Sequence, residues 1–264
     1  MSDDKQKVVI TGCTGSLGRQ IVQELLEDGY DVVGIARSQE KLKKLSGDFA
    51  QYASNLQLEC FDLVRKNELE VLEFLKTIFE RGPVQHLVNV IGGVVNFGNF
   101  DTLSIDDWRN CVEANVMCHV PVCKAFARDV RARQNPKSAT NIIFLSSMVG
   151  ISPGRFNPHY AASKAGVISL TKYLSQELGP DGIRVNCVSP SRLDDDTLTF
   201  DANEIANKKG IDIDMVRAEI VAESSKKTPI GQLATPKDVS GLILWLLSSR
   251  AHFVTGANIP IGGV

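Results

Sequence analysis

The sequence predicts an α/β fold: a doubly wound parallel sheet of about seven strands with helices on both faces, in one domain over residues 1–264. Two patterns predict it. Short apolar runs of strand length alternate with amphipathic runs of helix length along the chain, and the first strand passes through glycine-spaced residues straight into a helix. The composition agrees, with 43% hydrophobic and 23% charged residues in a chain of 264, near the upper end of what one core supports.

Strands are expected at 7–11, 31–35, 56–61, 86–90, 141–145, 184–188 and 257–260. Between them, helices are expected at 17–28, stopped by Gly29, and from the capping Ser38 to about 52. Further helices follow at 65–81, 104–113, 117–133, 159–178 and 236–248. The stretch 191–228 is polar, rich in Asp, Glu and Lys, and has no strand pattern. It follows the carboxyl end of the sixth strand, where open α/β sheets bind ligands, so it reads as a substrate-covering segment, with a plain surface insertion as the alternative. Asp194-Asp195-Asp196 within it reads as a solvated loop.

No apolar run approaches the ~18–20 residues that cross a bilayer, and Met1-Ser2-Asp3-Asp4-Lys5 leads into a strand without the apolar stretch of a signal peptide. A cytoplasmic protein is expected. The net charge of −2 offers nothing to nucleic acid or an anionic membrane. Six cysteines contain no Cys-x-x-Cys and fit reduced structural thiols; the four histidines have no metal-ligand spacing, so no metal is expected.

Gly12-Cys13-Thr14-Gly15-Ser16-Leu17-Gly18 joins the first strand to the first helix. Gly12 permits a tight turn, Gly15 lets the backbone approach a pyrophosphate, and Gly18 allows close helix–strand packing, with the helix N–H groups facing the phosphates. An acidic side chain at the end of the second strand would bind the ribose of NAD; here stands Arg37, which can pair with a 2′-phosphate and favours NADP(H). Asp62, just past the third strand, is expected to face the adenine.

Tyr160 and Lys164 lie four apart at the start of a helix, on one face. A phenol titrates near pH ~10, and a neighbouring ammonium is expected to pull it down into use as an acid/base. Ser147, 13 residues before Tyr160 at the end of the fifth strand, can hydrogen-bond a substrate oxygen.

Together these residues resemble the single-domain branch of the short-chain dehydrogenase/reductase family, a Rossmann-type fold. The match covers nearly the whole chain and includes Asp62-Leu63, Leu87-Val88-Asn89, Asn115 in Ala-Asn-Val, residues 185–190 and the tail from Thr255-Gly256 to Gly262-Gly263. The resemblance implies Tyr160 as general acid/base, Lys164 lowering its pKa and binding the nicotinamide ribose, Ser147 stabilising the substrate oxygen, and Asn115 holding a water that links Lys164 to solvent. It implies that Asn89 and the Gly92 backbone border the cofactor, and that Val188, Pro190 and Ser191 pack along the nicotinamide. The cofactor set is then Gly12, Thr14, Gly15, Ser16, Leu17, Gly18, Arg37, Asp62, Leu63, Asn89, Gly92, Tyr160, Lys164, Pro190 and Ser191.

Three features depart from the family pattern. Asn89-Val90-Ile91-Gly92 replaces Asn-Asn-Ala-Gly, Pro190-Ser191 replaces Pro-Gly, and the glycine spacing resembles the two-domain branch acting on nucleotide sugars. The expected function is a ketoreductase-like exchange of hydride between NADP(H) and a carbonyl or alcohol. A catalytically silent cofactor-binding regulator and a sugar-nucleotide epimerase or dehydratase are the alternatives. The expected substrate residues are Phe97, Ser147, Ile151 and Phe156, an apolar wall around the reacting oxygen, with Arg192 and Arg155 available to an anionic group. Asp181 stands where acyl-carrier-protein reductases carry a basic docking residue. The resemblance also implies a homo-oligomer, tetramer or dimer, packed through the helices after the fourth strand and the C-terminal segment; the apolar positions Val112, Val116, Val120, Val122 and Phe126 fit that packing and an ordinary core contact alike.

Overall fold

The apolar runs pair side by side in a computed structural model, which describes residues 5–133 and 140–263. Residues 1–4, on which the absence of a leader was read, lie outside the described residues. β1 (Lys7–Thr11), β2 (Asp31–Ala36), β3 (Leu56–Cys60), β4 (His86–Asn89), β5 (Thr140–Leu145), β6 (Ile183–Pro190) and β7 (Asn258–Ile261) form one sheet in the order β3-β2-β1-β4-β5-β6-β7. Every pairing is parallel, as the alternation predicts. The chain winds outward from β1 through β2 and β3, then restarts at β4 and winds the other way. Thr11 therefore stands level with Ile35 on one side and Asn89 on the other. The crevice beyond these strand ends is the switch point at which such sheets take ligands.

Alternate strand residues face opposite sides, and both sides are filled. Val8, Ile10 and Ile143 pack under α1 (Ser16–Glu27), α2 (Gln39–Asp48) and α9 (Pro236–Leu247) through Ile21, Leu25, Leu42 and Ile243. Val9, Ile142 and Phe144 pack under α3 (Glu68–Phe79), α5 (His119–Ala132) and α6 (Pro158–Leu178) through Leu75, Phe126 and Val167. The helices start where their capping residues direct. Ser38 accepts from the Lys41 N–H, and Asn67 with Glu70 and Thr235 with Asp238 form capping boxes.

Three expectations change. The helices expected at 104–113 and 117–133 are joined: α4 (Ile105–Val112), capped by Ser104, runs through a π-helical turn at Glu113–Met117 into α5. The stretch 191–228 carries α7 (Asp196–Lys209) and α8 (Ile213–Ser225), which share a small core of Ala202, Ala206 and Val216. Alanines among charges leave too faint an apolar stripe to be read as helices. Asp194 and Asp195 lie in the loop before α7, as read, but they are engaged there: Asp194 pairs with Arg217, Asp195 caps α7, and Asp196 opens the helix. Third, Val122 and Phe126 are 1% and 0% exposed on the sheet side of α5 and belong to the core, while Val112 stays on the outside. Among the described residues no helix is long and apolar enough to cross a membrane.

Phe126→Ala is expected to destabilise the chain by about 3–5 kcal/mol, because it empties a closed core site. Val112→Ala should cost well under ~1 kcal/mol. Urea unfolding midpoints of the two variants check the assignment of faces.

Candidate active site

The glycine turn is built as its residue types require. Gly12 has φ 74, and a Cβ on Gly18 would lie 2.2 Å from the Gly12 carbonyl oxygen, so only a bare α-carbon lets α1 begin this close to β1. Gly15 is the N-cap of α1, with no side-chain cap and no acidic residue in the first turn. The leading N–H groups of Ser16 and Leu17 therefore have no side-chain acceptor in the structure, and the helix dipole favours an anion beside them. Thr14 lies within this turn, half-buried.

Arg37 leaves the end of β2 exposed and, among the described residues, makes no ion pair. Asp62 caps its own turn, accepting from the Val64 and Arg65 N–H groups at 3.1 and 3.2 Å. Leu63 is 2% exposed within the core, so it can meet a nucleotide only through its backbone.

The reactive side chains converge at the carboxyl ends of β4 and β5. Asn157 caps α6 and Pro158 opens it, which puts Tyr160 in the first turn and Lys164 one turn on. The Lys164 ammonium is 3% exposed, donates to the Leu145 carbonyl at 2.9 Å and lies 5.6 Å from the centre of the Tyr160 ring. Ser146 fixes this helix to the strand end by donating to the Lys164 carbonyl at 2.7 Å. Ser147 continues in extended backbone beside Tyr160, and its hydroxyl accepts from the Val149 N–H at 3.4 Å.

Asn115 sits inside the π-helical turn, fully buried. Its Nδ2 donates to the Gly93 and Cys111 carbonyls at 2.8 and 2.9 Å, and its Oδ1 accepts from the Gly93 N–H at 2.9 Å. Both ends of the amide are thus engaged, and the side chain acts as a clamp on the loop after β4. Gly92 lies under this clamp with φ 147; a Cβ there would stand 2.7 Å from Asn115 Oδ1 and 2.8 Å from Lys164 Nζ.

The electrostatics differ from the sequence expectation. Burial pushes the Tyr160 phenol up to about 12, with the Ser147 side chain opposing it, and Lys164 is not among the groups that lower it. The correction has a geometric cause: the ammonium lies over the ring and is turned to a carbonyl. Burial also takes Lys164 down to about 8, since thiols and not carboxylates surround it.

The remaining expected residues are placed as follows. Asn89 is fully buried, its Nδ2 on Cys123 Sγ at 3.7 Å and its Oδ1 without a partner, so its side chain faces α5 and not the crevice. Pro190 ends β6, pairing with Ile261, and the following Ser191 keeps a buried hydroxyl without a partner. Arg192 is paired with Asp201 at 3.1 Å, which spends its charge within the chain. Asp181 pairs with Arg131 at 2.7 Å. Phe97, Ile151 and Phe156 are exposed near the start of α6. The sequence reading missed Ser146, the Leu145 carbonyl and the clamp on Gly93. Backbone acceptors carry no sequence signal, though a second serine beside Ser147 was visible.

A doubly wound sheet with this crevice defines a dinucleotide-type α/β protein. Comparison with known proteins narrows the class. The short chain dehydrogenase family profile matches residues 6–204. The chain is 28% identical over 259 residues to the 3-oxoacyl-(acyl-carrier-protein) reductase FabG of Chlamydia muridarum, covering 97% of this chain and 95% of that one. It is 30% identical over 256 residues to 3beta-hydroxysteroid dehydrogenase 1 of Eggerthella lenta, covering 97% and 92%. An actinorhodin polyketide ketoreductase solved with NADPH superposes with a TM-score of 0.86 at 24% identity, over 98% of this chain and 97% of that one. The chain belongs to the short-chain dehydrogenase family of oxidoreductases.

Gly92→Ala is expected to lower stability by about 1–3 kcal/mol, as overpacking does, because its Cβ has no room and its φ disfavours a side chain. Gly93→Ala meets nothing within 4 Å and should be tolerated. Thermal unfolding of the two variants side by side decides whether the clamp is as tight as described.

Proposed function

We propose that this chain is an NADP(H)-dependent oxidoreductase of the ketoreductase kind, with Tyr160 as general acid/base. The observation that carries this reading is the buried Lys164 ammonium, held on the Leu145 carbonyl at 2.9 Å and 5.6 Å from the centre of the Tyr160 ring, with Ser147 at the same carboxyl edge of the sheet. NADP(H), when bound, supplies or accepts the hydride. The residues present fit it. The uncapped start of α1 suits the pyrophosphate, exposed Arg37 suits a 2′-phosphate where NAD would want an acid, and the buried Ser191 hydroxyl lacks a partner beside the crevice. FabG and the hydroxysteroid dehydrogenase act, by name, on keto and hydroxy carbons, and ElxO, another neighbour at 25% identity and a TM-score of 0.83, was solved with NADP bound.

The side chains divide the work. Ser147 and Tyr160 present hydroxyls to one substrate oxygen; Tyr160 passes its proton to that oxygen in reduction and takes it back in oxidation. The Lys164 charge stabilises the phenolate left on Tyr160. Asn115 holds Gly92 and Gly93 against that charge. α7 and α8 hang from the end of β6, tied by Asp194 N–H to the Ala234 carbonyl at 2.9 Å, and serve as the cover over the substrate. A homo-oligomer, dimer or tetramer, packs through the outer face of α4 and α5, where Val112 and Met117 are exposed.

Turnover of a carbonyl panel with NADPH and NADH tests the reading. Tyr160→Phe should lose about 10²–10⁴ of the rate while cofactor titration is unchanged. Arg37→Ala should weaken NADPH about 10–100-fold and leave NADH alone. Unaltered turnover in the first variant, or preference for NADH in the parent, would defeat the assignments.

The pH dependence has a definite sign. Tyr160, at about 12, keeps its proton through the neutral range, while Lys164, at about 8, loses its charge above that value. The ammonium is therefore present below pH ~8 and absent above it, so carbonyl reduction should fall as pH rises through about 8. A rate profile that is flat across that region contradicts the role given to Lys164.

A further inference from the structure

We propose that the substrate is a ketone or secondary alcohol carried on a flat, apolar ring body, aryl or fused-ring, and that Phe97, Phe100 and Phe156 are the surface on which that body stacks. The proposal rests on the oxidoreductase reading above. These three phenylalanines are 72%, 74% and 70% exposed, on the loop between β4 and α4 and the loop before α6. Bare aromatic rings grouped at one place on a surface mark a binding site.

The two loops are fastened to each other. The Asn157 N–H donates to the Gly98 carbonyl at 2.8 Å, and the Gly98 N–H donates to Asn157 Oδ1 at 3.1 Å. Behind them, His159 bonds the Val95 carbonyl at 2.7 Å, and Trp108 stands against both His159 and Phe100 at 6.0 and 6.3 Å between ring centres. Among the described residues, the non-glycine positions with left-handed backbone are Asn96 and Asn157, at φ 56 and 57. One directly precedes Phe97 and the other directly follows Phe156. Strained backbone of this kind persists where surrounding structure over-determines it, and a backbone already fixed beneath Phe97 and Phe156 has little freedom to lose on binding.

Position and chemistry then name the occupant. The Tyr160 N–H bonds the Asn157 carbonyl at 3.0 Å, so Phe156 lies about one helical turn from the acid/base. Phe97 lies four residues past Gly93, which Asn115 clamps. A body lying on these rings has its near edge at the reacting oxygens. Three asparagines of the frame are engaged within it: Asn96 by Asp107, Asn99 by the Thr102 N–H at 3.1 Å, and Asn157 by Gly98, while Arg155 beside Phe156 is exposed. With the asparagines engaged, the three exposed phenylalanines dominate this surface and suit an apolar plane, which aromatic rings favour in offset or edge-on contact.

The test compares tetralone and a steroid ketone with an open-chain methyl ketone and a ketose, all with NADPH. The ring ketones should exceed the others in kcat/KM by about tenfold or more. Phe97→Ala and Phe156→Ala should each lower kcat/KM for the ring ketones about tenfold, mostly through KM, and by several-fold more than for the open-chain ketone. Phe97→Tyr and Phe156→Tyr should restore the preference. Equal losses on both kinds of ketone, or no preference for rings in the parent, overturn the stacking surface and leave the oxidoreductase reading standing. If NADPH binds and no ketone turns over, that reading fails instead. The stacking surface is then upheld if the steroid ketone alters tryptophan fluorescence and loses affinity in both alanine variants, and overturned if it does neither.

Discussion

Lys164 is the constraint around which the site is arranged. An ammonium taken out of water is costly, and the interior compensates only partly, through the Leu145 carbonyl. Among the described residues no carboxylate pairs with it; its neighbours include the free cysteines Cys111, Cys118 and Cys187. That shortfall is what moves Lys164 down from its ordinary value. It also leaves the group able to stabilise any negative charge created beside it, since none is already present to satisfy it.

Holding such a charge requires rigid surroundings, and the chain supplies them by fastening the ends of β4 and β5 to neighbouring helices. Ser146 ties the end of β5 to the Lys164 carbonyl, so the strand and the first turns of α6 move as one. The π-helical turn shifts Asn115 out of an ordinary helical path so that its amide can reach the backbone beyond β4 on both its donor and acceptor sides. Such insertions recur at functional positions because they cost helix regularity without local benefit. Gly92 completes the fit, because its missing side chain is the space in which Asn115 and Lys164 meet.

Much of this was legible in the sequence. Strands buried on both faces appear as unbroken apolar runs, and Ser38, Gly29 and the glycine turn announce helix boundaries by chemistry that is local to them. Tyr160 and Lys164 were legible because helical spacing is rigid. What was hidden depends on partners distant in sequence. The Leu145 carbonyl is a backbone atom, and the face presented by Asn89 follows from its register against Phe144 and the approach of Cys123. α7 and α8 were hidden because their shared core is two alanines and a valine, a seam too small to stand out among acidic and basic neighbours. The charge of Arg192 looked available to a substrate, but Asp201, nine residues on, pairs with it at 3.1 Å.

The displaced titrations of Tyr160 and Lys164 fit together better than the sequence expectation did. A phenol drawn down toward neutrality would spend part of its time without the proton that reduction needs. In the proposed reduction, a phenol raised by burial would keep that proton until a carbonyl oxygen gained negative charge beside it. The lysine need not ionise the phenol in advance. In that proposed step it would have only to carry its charge as a phenolate formed, when the attraction between the two would raise the affinity of Lys164 for its own proton. Burial thus performs opposite services on neighbouring groups, storing the proton on one and keeping the other's charge unspent.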